Sequence, residues 1–304
     1  MFDVVIVGGG PAGLSAALVL GRCRRRVLIC DAGEPRNARA RAMHGYLTRD
    51  GTPPLELLRI GRDELLEYGI EPRDAVVTEI SPADEGFNVT LATGTRVETR
   101  TVLLASGVRD VLPTIPGLEE CYGISMHHCP YCDGWEVRDK IIAVVGETRS
   151  PAGLALSLKT WTDRVLAFTN ARVRLSIAQR RRLETHGIAL YTARIAAAEH
   201  DNGWIRRLTL VDGTHVACDA VFFTGPQRQQ SELASRLGCE FTRRGTVRTD
   251  RLGNTCVPGV YVVGDASRDV QFVVVAAAEG AKAGVAINQA LQVRAGLAME
   301  KAAV

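Results

Sequence analysis

Val4-Val5-Ile6-Val7 is a short, β-branched apolar run, and it predicts a strand buried on both faces. Residues 14–20 are rich in Ala and Leu and read as a helix, and Val27-Leu28-Ile29-Cys30 predicts a second apolar strand that ends at Asp31. Further along, 140–145 and 164–168 predict two more strands, and 257–263 a turn followed by a strand. Residues 273–291 read as an Ala-rich helix that carries Glu279 and Lys282. Phe87-Asn88-Val89-Thr90-Leu91 and 96–104 predict a β meander with a turn at Thr93-Gly94. Gln179-Arg180-Arg181-Arg182, beside Leu183, reads as the solvated face of a helix. Strands alternating with helices in this way predict an α/β fold with parallel sheets. No repeat is present, nor any biased segment beyond the Ala-rich helices.

Composition narrows the class. The chain has 304 residues, 46% hydrophobic and 23% charged, which suits a globular protein and excludes disorder, coiled coil and collagen. With 37 basic and 34 acidic side chains the formal charge is +3, too weak to point to a nucleic acid or membrane partner. No apolar run reaches the roughly 18 residues of a membrane helix. Met1-Phe2-Asp3 enters a strand at once, without the basic stretch and cleavage site of a secretory leader, so a cytoplasmic location is expected. Eight cysteines are too few for a disulfide scaffold, and at short spacing they point to redox chemistry or metal.

Gly8-Gly9-Gly10-Pro11-Ala12-Gly13 lies between the first strand and the first helix. This is Gly-x-Gly-x-x-Gly in the context of a dinucleotide fold: Gly8 for the tight turn, Gly10 for close approach of backbone to a pyrophosphate, Gly13 for close packing of helix on strand. Pro11 and Ala12 open the helix, whose N-terminus offers N–H groups and positive dipole to phosphates. Asp31, eighteen residues after Gly13, is placed to accept from a ribose hydroxyl. The motif alone does not separate FAD from NAD.

Cys129-Pro130-Tyr131-Cys132-Asp133-Gly134 pairs two thiols two residues apart, beside a carboxyl able to carry the proton that thiol chemistry moves. Three readings are open on residue types alone: a redox disulfide, a zinc site drawing on His127 and His128, and two inert buried thiols. Zinc usually takes four ligands from two separated pairs, and there is no second Cys-x-x-Cys. The remaining cysteines, Cys23, Cys30, Cys121, Cys218, Cys239 and Cys256, are lone residues, most of them expected as small core side chains.

Taken together, these motifs resemble the two-dinucleotide-fold flavoproteins, and in particular the low-molecular-weight thioredoxin reductases (class II pyridine nucleotide-disulfide oxidoreductases). Besides Gly8 to Gly13, the resemblance rests on Cys-x-x-Cys-Asp-Gly at 129–134, on Gly264-Asp265, and on Ala105-Ser106-Gly107 at the exit from the FAD domain. It implies two Rossmann-like three-layer ββα domains, the second inserted in the first: an FAD domain at 1–112 and 226–304, and a central redox-disulfide domain at 113–225. Leu112-Pro113 and Gly225-Pro226 mark the crossovers. The resemblance further implies FAD held by Gly8, Gly10, Pro11, Ala12, Gly13, Asp31, Gly107, Gly264, Asp265, Gln271 and Phe272. Cys132 would face the flavin, Cys129 would exchange with the outside disulfide, and Asp133 would be the general acid. No resident metal is expected. The partner would be a thioredoxin-like protein or a small dithiol or disulfide, and the chain would form a homodimer.

Two departures stand out. After the strand at 140–145 only Gly146 remains of the second glycine pattern; Glu147, Thr148 and Pro151 bring negative charge, a Cβ and a missing N–H to where phosphates should sit. The reductases carry His-Arg-Arg after the next strand to hold the 2′-phosphate of NADPH; here the run is Thr169-Asn170-Ala171, with Arg172 and Arg174 beyond. NADPH binding is therefore doubtful. Gln271-Phe272-Val273 replaces the family's Arg-Gln-Ala, bringing Phe272 near the flavin. Departures of this kind resemble the reductase-like flavoproteins that do not use NADPH, including FAD-dependent dithiol oxidases and ferredoxin-linked relatives, whereas Asp133 favours the reductases. A flavin-bound redox sensor without turnover is the remaining alternative.

Overall fold

The computed structural model describes residues 1–268 and 270–298. β1 (Phe2–Val7), α1 (Pro11–Arg22) and β2 (Val27–Asp31) come first, then α2 (Pro54–Leu66), β3 (Arg73–Asp74) and a meander of β4 (Val77–Ala83), β5 (Gly86–Leu91) and β6 (Arg96–Leu104). β7 (Val108–Asp110), β8 (Met126–His127) and the one-turn helix α3 (Pro130–Asp133) lead into β9 (Ile142–Gly146), α4 (Ala152–Leu158), β10 (Val165–Phe168), α5 (Ile177–Thr185) and β11 (Ala189–Tyr191). A second meander, β12 (Ile195–Asp201), β13 (Trp204–Leu210) and β14 (His215–Ala217), precedes β15 (Ala220–Thr224) and β16 (Gln227–Gln229). α6 (Leu233–Arg236), β17 (Val260–Val262) and α7 (Val273–Arg294) complete the order.

The chain divides into two compact units. One holds Met1–Arg36, Gly45–Arg109 and the chain from Arg228; the other holds Asn37–His44 and Asp110–Gln227. The sequence gives no sign that Asn37–His44 belongs to the second unit. There Arg39 donates to the Glu119 carbonyl oxygen and the Arg41 guanidinium lies 5.2 Å from the Trp204 ring centroid.

In the first unit the sheet runs β3-β2-β1-β6-β5-β4, with β17 also on β6. β6 serves two partners along one edge: its first half pairs antiparallel with β5, from Arg96 to Thr99, and its second half pairs parallel with β17, from Val102 to Leu104. The apolar run of β1 is buried on both faces because its side chains alternate between two cores. Val4 and Ile6 pack with α1 and α7 residues such as Ala16, Leu20, Ala283 and Ile287. Val5 and Val7 pack with Phe87, Val89 and Leu233 on the opposite face.

The second unit repeats this plan. Its parallel sheet runs β11-β10-β9-β15-β8. Ile142 and Val144 face α4 and α5, whereas Ala143 and Val145 face the β12–β14 meander. α5 begins with a capping box: Ser176 accepts from the Gln179 N–H, and the Gln179 side chain accepts from the Ser176 N–H. Both units are thus three-layer ββα Rossmann-type sandwiches.

Candidate functional site

In the first unit the glycine turn lies where β1 ends and α1 begins, at the carboxyl edge of the sheet. The three motif glycines do different work. Gly8 has φ +109°, and a Cβ there would run into the Ala105 carbonyl oxygen; a Cβ on Gly13 would run into the Gly8 carbonyl oxygen. Both are required by the protein's own packing. Gly10 is the exception, since a Cβ on it would meet nothing within 4 Å. It caps α1 without a side-chain hydrogen bond, with Pro11 behind it, so the first N–H groups of a twelve-residue helix lack a capping side chain.

The acid of β2 is engaged. Asp31 Oδ2 accepts from Arg62 at 2.7 Å, and Oδ1 accepts from the Gly33 N–H at 3.3 Å. Asp265, in a 3-10 turn after β17, pairs with Arg36 at 2.9 Å, and Arg36 also donates to Gln271 Oε1 at 2.6 Å. One guanidinium therefore joins two of the residues assigned to the cofactor. Phe272 is the N-cap of α7. The Gly107 carbonyl accepts from the Gln230 N–H, and Gln230 Oε1 is a buried acceptor with no hydrogen-bond partner among the described residues. Arg36, Arg62 and Gln230 were not legible as site residues; their contacts with Asp265, Asp31 and Gly107 span long stretches of sequence.

In the second unit Cys129 and Cys132 form a disulfide with Cα atoms 5.3 Å apart. Cys129 is the N-cap of α3, and its carbonyl accepts from the N–H groups of Cys132 and Asp133, both at 3.2 Å. Gly134 closes the turn because a Cβ there would meet the Pro130 carbonyl and the face of Trp161. Tyr131 and Trp135 are 70% and 65% exposed beside the pair, a large apolar surface to leave in water. Asp133 Oδ1 lies 3.2 Å from Nδ1 of buried His127, and His128 Nδ1 lies 3.9 Å from Asp110 Oδ2. The two histidines thus serve different carboxylates, and no group of three or more metal-ligating side chains occurs among the described residues.

Where β9 and β10 end, Glu147 is buried and accepts from Asn170 Nδ2 at 3.0 Å and from Arg172 at 2.7 Å. Asn170 Oδ1 in turn accepts from the Ile195 N–H at 2.8 Å. Arg172, a candidate for the 2′-phosphate, is committed to Glu147. Of the six other cysteines four are buried, and Cys23 and Cys256 are exposed. Burial pushes the Cys30 thiol up to about 11 and the Cys218 thiol up to about 12. No helix among the described residues is long and apolar enough to cross a membrane.

Two Rossmann-type units, a glycine cradle and a Cys-x-x-Cys disulfide define a class, and the comparisons agree with it: residues 2–280 match the pyridine nucleotide-disulphide oxidoreductases, and the chain belongs to that family. Thioredoxin reductase sirT of Leptosphaeria maculans is 30% identical over 95% of this chain and 94% of its own. A "Probable thioredoxin reductase" of Arthroderma benhamiae is 32% identical over 88% of this chain and 74% of its own. The crystal structure of HlmI superposes with a TM-score of 0.91 at 37% identity, covering 97% of this chain and 96% of that one. Within the family the protein is a thioredoxin reductase-like oxidoreductase.

The family implies FAD. The first unit's residues fit such a group: Gly10 leaves room for it, the α1 N-terminus suits a pyrophosphate, and Gln230 Oε1 is an acceptor that a ligand hydroxyl or imide would satisfy.

Proposed function

We propose that the protein is an FAD-dependent thiol–disulfide oxidoreductase that passes electron pairs between FAD and the Cys129–Cys132 pair, and between that pair and a partner dithiol or disulfide. When bound, FAD supplies a two-electron carrier. The chain's residues do the rest. Gly8, Gly10, Pro11, Ala12 and Gly13 form the phosphate turn, with Asp31 and Gly107 beside it; Gly264, Asp265, Gln271 and Phe272 form the second half of the cofactor site. Cys132 serves the flavin, Cys129 attacks or is attacked by the partner, and Asp133 moves the proton. The FAD domain is formed by 1–112 and 226–304, apart from Asn37–His44, which group with the redox domain of 113–225. Tyr131 and Trp135 suit docking of a thioredoxin-like protein or a small dithiol beside the pair. The protein works as a cytoplasmic homodimer.

One observation carries the further claim that NADPH is not the donor: Glu147 and Arg172 satisfy each other where β9 and β10 end. A buried carboxylate there repels phosphates and occupies the guanidinium that would bind them. The same observation favours a second reading, a dithiol oxidase in which the substrate dithiol loads the cysteine pair and oxygen takes the electrons from the flavin. Anaerobic spectral titration of the holoprotein tests both. Bleaching by dithiothreitol and not by NADPH is expected, and recovery of the spectrum in air supports the oxidase. Bleaching by stoichiometric NADPH would overturn the claim, and a response to neither reagent would leave a redox sensor.

A further inference from the structure

The pair His127–Asp133 goes beyond the residues assigned above. His127 is the second residue of β8 and pairs with Phe222 of β15. Its ring is buried, 5.5 Å from the Phe222 ring, and Nδ1 is 3.2 Å from Asp133 Oδ1. Asp133 is the last residue of α3, next to Cys132 in sequence, and its N–H is anchored on the Cys129 carbonyl. The carboxyl is therefore anchored through its backbone, with the imidazole Nδ1 placed 3.2 Å from Oδ1. The neighbouring His128 does not compete for it, being directed at Asp110.

We propose that His127 is a positioning residue for thiol–disulfide exchange, which decides which oxygen of Asp133 carries the acidic proton. This rests on the reading of Asp133 as the acid. A neutral imidazole with hydrogen on Nδ1 donates to Oδ1, so Oδ1 is the accepting, carbonyl-type oxygen and the proton resides on Oδ2. When an external dithiol opens the disulfide, its thiolate sulfur bonds to one cysteine sulfur, the Cys129–Cys132 bond breaks, and the displaced sulfur takes the Oδ2 proton. The reagent's second thiol then closes its own disulfide and releases the other cysteine sulfur, and its proton restores the carboxyl. The released cysteine thiolate takes up from solvent the proton that the first thiol gave up on forming its thiolate, so two electrons and two protons pass in all from the dithiol to the pair. After the first transfer the carboxylate still faces the imidazole, whose Nδ1 lies 3.2 Å from Oδ1, so it stays in place to be recharged.

The test is the rate at which dithiothreitol opens the disulfide in the oxidised FAD holoprotein, read by acid quench, alkylation and mass spectrometry. Cys23 and Cys256, both exposed, serve as internal labelling references. Asp133→Asn is expected to slow opening by roughly 100-fold, the lower end of general-acid effects, and His127→Phe by about 10-fold. His127→Asn keeps a donor for Oδ1 and is expected to stay within about 3-fold of the parent. His127→Phe combined with Asp133→Asn should be no slower than Asp133→Asn alone, because the two act through one group. Flavin content and melting temperature confirm that each variant is folded; His127→Leu replaces the Phe variant if that one is not. The proposal is overturned if His127→Phe stays within 2-fold of the parent, if His127→Asn is as slow as His127→Phe, or if the histidine change slows the Asp133→Asn protein by a further 10-fold. An unaffected Asp133→Asn would overturn both this proposal and the role of Asp133, whereas a slow Asp133→Asn with a normal His127→Phe overturns this proposal alone.

Discussion

The Arg172 guanidinium stands 2.7 Å from Glu147 Oε2, joining the loop after β10 to the loop after β9. Glu147 is buried and Arg172 is about half exposed, so the pair's weight falls on the carboxylate. Asn170 supplies a second donor and is held in turn through its Oδ1 by the Ile195 N–H. Removing one partner of such a pair is costlier than removing both, because a charge left buried alone keeps its desolvation penalty. Arg172→Met should therefore lower unfolding free energy by about 1–3 kcal/mol, with Asn170 moderating the loss. Glu147→Gln combined with Arg172→Met should recover most of it. Urea denaturation of the three proteins checks this. A double variant as unstable as Arg172→Met would show that the carboxylate's burial is not the cause.

The glycines of the first unit separate into two kinds. A Cβ on Gly280 of α7 would run into the Ala12 carbonyl oxygen of α1, backbone that cannot swing away. Gly280→Ala should lower stability by about 1–3 kcal/mol or more, the cost of forcing two packed elements apart. Gly10→Ala adds a methyl group that meets no protein atom within 4 Å. It should leave the melting temperature of the flavin-free protein within a degree or so of the parent and weaken FAD binding by at least about 10-fold, which corresponds to 1.4 kcal/mol. Equilibrium dialysis and thermal melts distinguish the two; a Gly10→Ala protein that keeps FAD normally would remove Gly10 from the cradle.

What could be read from sequence follows from how local each signal is. β1, the glycine turn, α1 and β2 lie within 31 residues, and every step is punctuated by an apolar run, a glycine or an acid. The β5–β6 meander and α7 are legible for the same reason. Arg36 and Asp265 are 229 positions apart and Arg62 and Asp31 are 31 apart, so no spacing announces those pairs. α2, the β12–β14 meander and the membership of Asn37–His44 in the second unit carry no such punctuation. His127 was visible, but only as a candidate zinc ligand that the ligand count argued against. Only β8, two residues long and settled by its pairing with β15, turns one histidine to Asp133 and leaves the other by Asp110. Glu147 was read as a charge hostile to phosphate; that Arg172 would be committed to it needed the loops in space.

The cysteines give a count that can be checked. Two are in the disulfide, four others are buried, and Cys23 and Cys256 are exposed. Thiolate is the reacting form, so Cys30, pushed up to about 11 by burial, presents only about one part in a thousand as thiolate at pH 8. The native oxidised protein should react with two equivalents of a bulky thiol reagent, and with four after mild reduction that opens Cys129–Cys132. Full denaturation after reduction should give eight. A native count of four without reductant would mean that the pair is not closed in the resting protein.

Cys218 adds a dependence on alkali. Burial is the main cause that lifts its thiol to about 12, with the charge of Asp219 and then Cys121 adding to it. The folded state therefore resists ionising a group that the unfolded chain ionises near its ordinary value of about 8.5. Since the folded pKa is raised, this contribution to stability is fully present below the unfolded value and is lost progressively as pH rises from there through about 12. Cys218→Ala lowers stability at pH 7 by leaving a small cavity, yet it should flatten the fall between pH 9 and 11 by about one proton's worth of slope, near 1.4 kcal/mol per pH unit. Urea midpoints measured across that range for the parent and Cys218→Ala give the comparison. Parallel curves would show that Cys218 ionises equally readily in both states, and that its burial in the core of the second unit does not hold the proton on.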